Sequence, residues 1–334
     1  MEDSVESPVR IVVVGFSGLI GKRHTAHVAK STTAELAAVI DPSPGAALVL
    51  ESLGLVDTPL LPSVDALLSP SSNVAKPDGA IVCTPNHTHV PVASQLVSAG
   101  IHVLVEKPIS DNESSGQELI ELARLHGVHL LVGHHRRFNP YVIAAKKAID
   151  DGVIGDVIAV SALWSAFKPD PYFDADPALV WRKSRSRGGG VTLINFVHEA
   201  DCMQHLLGPI TQIQAVETIR QRTQRWREAG NTVEADDAPE EGFALTLKFA
   251  SGGVGTYVVS DAVVSPHNFE MGTAENPEIP AVRLDGGQEE IDIYRFFGTN
   301  GTLSFPDLTL TKYPSGVSKS WNSKMERSKL AIDQ

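Results

Sequence analysis

Three stretches combine residue types and spacing that could do chemistry. Lys107 follows the apolar run His102 to Val105 within Glu106-Lys107-Pro108-Ile109, so an ammonium stands where a buried strand opens toward a cleft. In open α/β sheets ligands bind at the carboxyl ends of the strands, which makes Lys107 the first candidate, although a solvated strand end reads the same way. Gly15-Phe16-Ser17-Gly18-Leu19-Ile20-Gly21 closes a β-branched run and precedes a helical pattern. Its GxxGxxG spacing carries one residue more than GxGxxG but keeps glycines at the turn and at the helix-packing position, with free N–H groups for a pyrophosphate. The third stretch, Val191 to Leu207, presents Asn195 and His198 at i and i+3 on one helical face. A histidine near neutral pKa suits proton exchange with a hydroxyl, and one in an apolar helix is also a common core residue.

The elements that must position these groups alternate. Arg10 to Phe16, Glu35 to Ile40, Gly79 to Cys83, His102 to Glu106 and His129 to Gly133 read as strands. Lys22 to Ser31, Pro44 to Leu53, Val64 to Leu68, Thr88 to Ala99 and Ser110 to His126, capped by Ser110 or Asp111, read as helices. Short connections between them predict a doubly wound parallel sheet of the Rossmann type. Asp41 ends the second strand about twenty residues beyond the last glycine, where a carboxylate bonds both ribose hydroxyls and repels a 2′-phosphate. NAD is therefore favoured, and NADP stays open because Ser43, Lys22 and Arg23 could accommodate a phosphate. Thr84-Pro85-Asn86-His87-Thr88-His89 shares that sheet edge. Asn86 and His87 can reach a cofactor there, while His87 and His89 also read as cap or loop residues.

A bridging helix over Tyr141 to Asp151 follows a domain boundary placed near Pro140, giving regions 1–140 and 141–334. The second region is expected to be α+β with a large, mostly antiparallel open sheet. Its strands are Asp156 to Ala166, Ile210 to Thr218, Phe243 to Phe249, Gly253 to Asp261, Glu290 to Ile293, Thr302 to Phe305 and Leu308 to Tyr313. Gln221 to Glu241 reads as a charged loop without periodicity, and Ser265 to Pro280 as a second long connection.

With 334 residues, 42% hydrophobic and 20% charged, the composition is that of a globular chain long enough for two cores. The net charge of −12 argues against nucleic acid and anionic membranes as partners, yet a local arginine could still bind an anionic small molecule. Cys83 and Cys202, without metal-type spacing, read as reduced core residues. With no apolar run of membrane-spanning length and a polar start from Met1 to Pro8, a cytoplasmic protein without a metal is expected.

Four ordered stretches carry a resemblance to the Gfo/Idh/MocA oxidoreductase family. They are Gly18-Leu19-Ile20-Gly21-Lys22-Arg23-His24, Thr84 to His89, Glu106-Lys107-Pro108, and His134-His135-Arg136-Arg137-Phe138-Asn139-Pro140. The resemblance implies that Lys107 lies beside the nicotinamide and the reacting hydroxyl, with Glu106 on the cofactor side or structural. It implies that Gly15, Ser17, Gly18, Leu19, Ile20, Asp41 and the residues Thr84, Pro85, Asn86, His87 and His89 line the dinucleotide. Counting from Gly188-Gly189-Gly190, His198 falls at the family's catalytic histidine. Tyr172, Trp181 and Arg182, together with Arg136 and Asn195, fall on the substrate side, an arginine being available for a carboxylate. Dimers or tetramers through the open sheet are implied as well.

The chain departs from the pattern at Ile194, where sugar and inositol dehydrogenases of the family commonly carry an aspartate. Asn195 sits about 100° further round the helix. The end near Gln334 also reads as shorter than in relatives. The implied activity is hydride transfer between a nicotinamide and a secondary alcohol or ketone of a sugar, polyol or related cyclic compound. A non-enzymatic dinucleotide-binding regulator, or a reductase of an imine, dihydrodiol or other non-sugar carbonyl, remains open.

Overall fold

The β-branched run at the start of the chain forms β1 (Val9–Val14), and Val12 and Val13 are fully buried because both faces of the strand are covered. The computed structural model describes residues 7–230, 236–276 and 291–332. It divides into two units, Met1–Gly133 and His134–Gln334. The division lies ahead of Pro140 because the turn His135–Phe138 is anchored in the second unit, with Arg136 bonded to Glu199 and Glu270 and Arg137 to Asp201.

In the first unit β1 is followed by α1 (Leu19–Lys30), β2 (Ala34–Ile40), α2 (Ala46–Ser52), β3 (Leu60–Leu61), α3 (Val64–Leu68) and β4 (Gly79–Val82). Then come α4 (His89–Ser98), β5 (His102–Val105), α5 (Glu113–His126) and β6 (Leu130–Val132). The sheet order is β3-β2-β1-β4-β5-β6 with every pairing parallel, as the alternation predicts. β3 has only two residues, too short to carry a sequence pattern. Helix α5 starts later than predicted because Asn112, not Ser110 or Asp111, is its cap, accepting the Ser115 N–H at 3.0 Å.

The second unit begins with α6 (Pro140–Asp150), β7 (Val157–Ser165) and α7 (Pro171–Asp174), then one π-helical turn, Thr192–Phe196, running into α8 (Val197–Leu207). Next are β8 (Ile210–Glu217), α9 (Gln221–Glu228), β9 (Gly242–Phe249), β10 (Val254–Ser260) and α10 (Phe269–Thr273). The chain continues through β11 (Tyr294–Gly298), β12 (Gly301–Phe305), β13 (Thr309–Lys312) and β14 (Glu326–Lys329). Eight strands pair in the order β14-β13-β12-β11-β7-β10-β9-β8, antiparallel except where β10 meets β7. One face packs on α6 and α8 through Val160, Trp164, Met203, Tyr257 and Phe296. The other is exposed, with the cross-strand row Val216, Ala244, Val258 and Leu163 in register.

Three expectations change. The loop predicted over Gln221 to Glu241 contains α9, whose buried face is Arg222, Thr223 and Trp226 rather than an aliphatic stripe, so no apolar period marks it. Glu241, distant in sequence, caps this helix by accepting the N–H groups of Arg222 at 2.9 Å and Thr223 at 2.7 Å. Residues 231–235 of that stretch, and 277–280 of the second connection, lie outside the described residues, while α10 occupies the middle of that connection. The strand predicted at Glu290 to Ile293 begins at Tyr294, residue 290 itself lying outside the description. Among the described residues no helix is long and apolar enough to cross a membrane.

Candidate functional site

Parallel pairing brings the first unit's candidates to one sheet edge. Beyond the strand ends the ladder continues, with Gly15 N–H to Ile40 O at 2.8 Å, Cys83 N–H to Val14 O at 2.8 Å and Glu106 N–H to Val82 O at 2.9 Å. The glycine turn, Asp41, the loop from Thr84 and Lys107 therefore leave the sheet at the same level. Gly15 has φ +77°, and a Cβ there would lie 2.9 Å from the Cys83 carbonyl; at Gly21 it would lie 2.2 Å from Gly15 O. At Gly18 nothing is nearer than 3.6 Å, so the turn is tight behind and open in front. The first turn of α1 carries no acidic residue, and Leu19 and Ile20 are exposed beside it.

Asp41 completes this edge. Its Oδ2 accepts the Ser17 N–H at 3.1 Å and the Ser17 hydroxyl, and its Oδ1 accepts the Ser43 N–H at 2.9 Å. Partial burial pushes the carboxyl up, but the Ser17 and Ser43 hydrogen bonds outweigh it and hold Asp41 below the usual carboxylate range. An open helix amino terminus beside an ionised carboxylate is the donor set a dinucleotide needs: N–H groups for the pyrophosphate and an acceptor for a ribose.

Lys107 is half-buried and joined to Pro108 by a cis peptide bond. The Glu106 carboxylate accepts the Lys107 N–H at 3.2 Å and lies 2.9 Å from His24 Nε2. Burial raises the Glu106 carboxyl, and the His24 hydrogen bond with the Lys107 charge more than offsets it. His24 on α1 was named only within the resemblance, and the structure makes it the partner that fixes Glu106. Asn86 is buried, while Pro85 and His87 are exposed and Thr84 is intermediate. His89 is not available to a cofactor. It is 1% exposed, with Nδ1 2.7 Å from Pro108 O and Nε2 2.7 Å from Thr84 O, tying the two loops together. The neutral ring donates to one of these carbonyls and the protonated ring to both, and burial, which pushes its pKa down, outweighs their pull toward the protonated form.

The second unit presents its own cluster. His198 is 6% exposed, and the rings of His135 and His134 meet it edge-on at centroid distances of 5.4 and 6.3 Å. His135 is 2.8 Å from Glu275, whose carboxyl burial pushes up and the His135 contact and Arg136 pull below its ordinary range. Asn195 lies in the π-helical turn and accepts a hydrogen bond from Lys168 Nζ. That ammonium is also 3.1 Å from Asp261 and 4.7 Å from the Tyr172 ring centroid. Arg182 stacks 4.1 Å from the same ring, donates to Tyr172 O at 2.6 Å and lies 5.8 Å from the Trp181 ring. Tyr172 and Asn195 thus meet at Lys168, with Arg182 joined through the Tyr172 ring and Trp181 through Arg182. Lys168 and Asp261 had no local signal, since their pairing joins the segment after β7 to the end of β10.

Arg136 is the clear correction. Expected to line a substrate, its side chain is 2% exposed and bonded to Glu199 and Glu270, with Glu275 at 3.7 Å. Glu199 also accepts the Tyr257 and Tyr294 hydroxyls, and burial raises its pKa despite them. The cluster is a charged core between α8, β10 and β11. Among the described residues no group of three or more His, Cys, Asp or Glu could hold a metal ion.

Two family models match the chain: an oxidoreductase family with an NAD-binding Rossmann fold over residues 9–134, and a GFO/IDH/MocA C-terminal domain over residues 142–304. A 2,7-anhydro-N-acetylneuraminate hydratase of Mediterraneibacter gnavus is 32% identical over 175 residues, which cover 52% of this chain and 43% of the relative. Inositol 2-dehydrogenase of Rhizobium meliloti is 30% identical over 200 residues, covering 60% and 55%. The chain thus spans about half the length of the curated relatives it matches. Among solved structures, the WlbA dehydrogenase of Bordetella pertussis in complex with NADH and UDP-GlcNAcA superimposes with a TM-score of 0.70 at 22% identity, covering 90% of this chain and 74% of that one. At that identity the likeness establishes the fold.

Proposed function

The chain belongs to the GFO/IDH/MocA oxidoreductase family, and from that premise we propose an NAD-dependent dehydrogenase or reductase of a sugar, polyol or related cyclic alcohol. The observation that carries this reading is the first unit's edge, where an open glycine turn, an ionised Asp41 and Lys107 leave parallel strands of one sheet at the same level. NAD is preferred over NADP because Asp41 is charged and Ser43, one of the three residues that could serve a phosphate beside Lys22 and Arg23, is committed to it. The relatives' names, an inositol dehydrogenase and a sugar-acid hydratase, support a carbohydrate-like substrate.

A bound nicotinamide would supply the hydride acceptor or donor. The Lys107 ammonium hydrogen-bonds the substrate oxygen and stabilises the negative charge it gains as the C–H bond breaks. His198 takes the hydroxyl proton in oxidation and returns it in reduction. Tyr172, Trp181, Arg182 and Asn195 orient the ring, Asn195 being itself held by Lys168, which pairs with Asp261. Glu106 holds the turn through His24. Retention of Lys107 and His198, which a regulator does not need, favours an enzyme over a non-catalytic sensor.

The exposed residues Val216, Ala244 and Val258, in register with half-buried Leu163, support a homo-oligomer, a dimer or tetramer, paired through the large sheet. Two free cysteines, Cys83 and Cys202, suit a reducing compartment such as the cytoplasm. The test is absorbance of the reduced nicotinamide when purified protein is mixed with NAD or NADP and a panel of sugars, inositols and sugar acids. Turnover with NAD and a cyclic alcohol is expected, and cofactor binding without turnover on any of them would overturn the enzyme reading.

A further inference from the structure

A cavity of about 400 Å³ lies within the second unit between α9 and the segment that follows β7, a volume typical of small-molecule sites. Lys168, Arg222 and Arg225 line it, with Phe167 and Gln221. Lys168 also donates to Asn195 in the turn that precedes His198.

The hydrogen bonds of the inner wall are unevenly matched. Asp261 is one carboxylate shared by two cations, 3.1 Å from Lys168 Nζ and 2.8 Å from an Arg222 nitrogen. All three side chains are deeply buried, at 11%, 4% and 2% exposure for lysine, arginine and aspartate. Glu241, the next buried carboxylate, spends its oxygens on the main-chain N–H groups that start α9. Arg222 Nε is buried without a hydrogen-bond partner among the described residues. An unpartnered N–H on a buried guanidinium favours an acceptor that completes it. At the mouth, Arg225 pairs with Asp170 at 2.6 Å, but both are half exposed and such a pair exchanges readily. Glu228, exposed, also lines the cavity and accepts a hydrogen bond from Gln224 at 2.9 Å. Phe167, 50% exposed, offers an apolar face for the flat side of a ring.

We propose that this cavity is an acid-recognition site: it takes the carboxylate of a sugar acid, held by Lys168 and Arg222 and assisted by Arg225, with the ring against Phe167. The inference rests on the reading of the chain as a sugar-handling dehydrogenase and narrows its substrate class to carboxylated rings.

The probes are D-glucuronate, D-galacturonate and D-mannuronate, each compared with its neutral hexose, by calorimetry on the full chain without turnover. At least one hexuronate is expected to bind about tenfold tighter than its hexose, and more weakly as salt rises. Arg222→Gln should bring the ratio near one. Because Arg222 is buried and that variant could fail to fold, Arg225→Gln at the mouth is the second test and should lower the ratio severalfold. A ratio near one for all three acids, or one that Arg225→Gln does not alter, overturns the proposal. Oxidation of neutral hexoses without acid preference would refute this site and leave the dehydrogenase reading standing; acid binding without any hydride transfer would do the reverse.

Discussion

Two carboxylates set the units apart. Asp41 ends a parallel strand at the rim of the first sheet, takes its hydrogen bonds from Ser17 and Ser43 nearby, and is held below the ordinary range. Glu199 is sunk in the second unit among Arg136, Tyr257 and Tyr294, where burial pushes it up. The first unit makes its charged groups from backbone geometry at strand ends and leaves them open to a ligand. The second assembles side chains from distant segments into a charged core, and only the outer members, around Lys168 and His198, are among those proposed to meet a substrate. Charge in the first unit is thus available for binding, whereas much of the charge in the second is structural.

The sharpest way to break that contrast is Arg136→Ala. Removing one partner of a buried ionic cluster leaves Glu199 and Glu270 uncompensated, and a loss of roughly 3–5 kcal/mol in denaturant unfolding is expected. A change below about 1 kcal/mol would mean that the cluster is not structural and would return Arg136 to the substrate side. Gly21→Ala comes next, since its Cβ would meet Gly15 O at 2.2 Å; a destabilisation of about 1–3 kcal/mol should appear in the same measurement. Gly18→Ala, with open space before it, should leave stability near that of the parent and weaken dinucleotide binding instead. The smallest effect is at Asp41. Asp41→Asn should weaken NAD by about tenfold, read by quenching of protein fluorescence, and NADP by less. Because the folded pKa of Asp41 is depressed, its contribution to stability is complete above about pH 4 and is lost as pH falls through the folded value. NAD affinity should therefore hold steady down to that range, and a loss beginning near neutral pH would assign the binding charge elsewhere.

Legibility followed the same division. The glycine turn, Asp41 and Glu106-Lys107-Pro108 could be read because alternating strands and helices of a parallel sheet dictate where each connection emerges. The Lys168–Asp261 and His135–Glu275 pairs could not, since each joins segments far apart in sequence and neither leaves a local period. Helix α9 was hidden for a related reason: its buried face is arginine and tryptophan, and its cap, Glu241, comes from beyond the helix. Arg136 and His89 were legible as special residues, but their roles were misassigned, because burial against particular carboxylates or carbonyls is a tertiary property.

The central claim is that Lys107 acts on the reacting oxygen while the glycine turn and Asp41 hold the cofactor. Its most direct measurement is Lys107→Met, followed by NADH titration and by turnover on whichever cyclic alcohol the parent oxidises. The account predicts NADH affinity within about twofold of the parent and turnover lowered by about a thousandfold or more, the scale of losing an electrostatic stabiliser of the developing oxyanion. Turnover close to the parent's, with NADH binding intact, would contradict it.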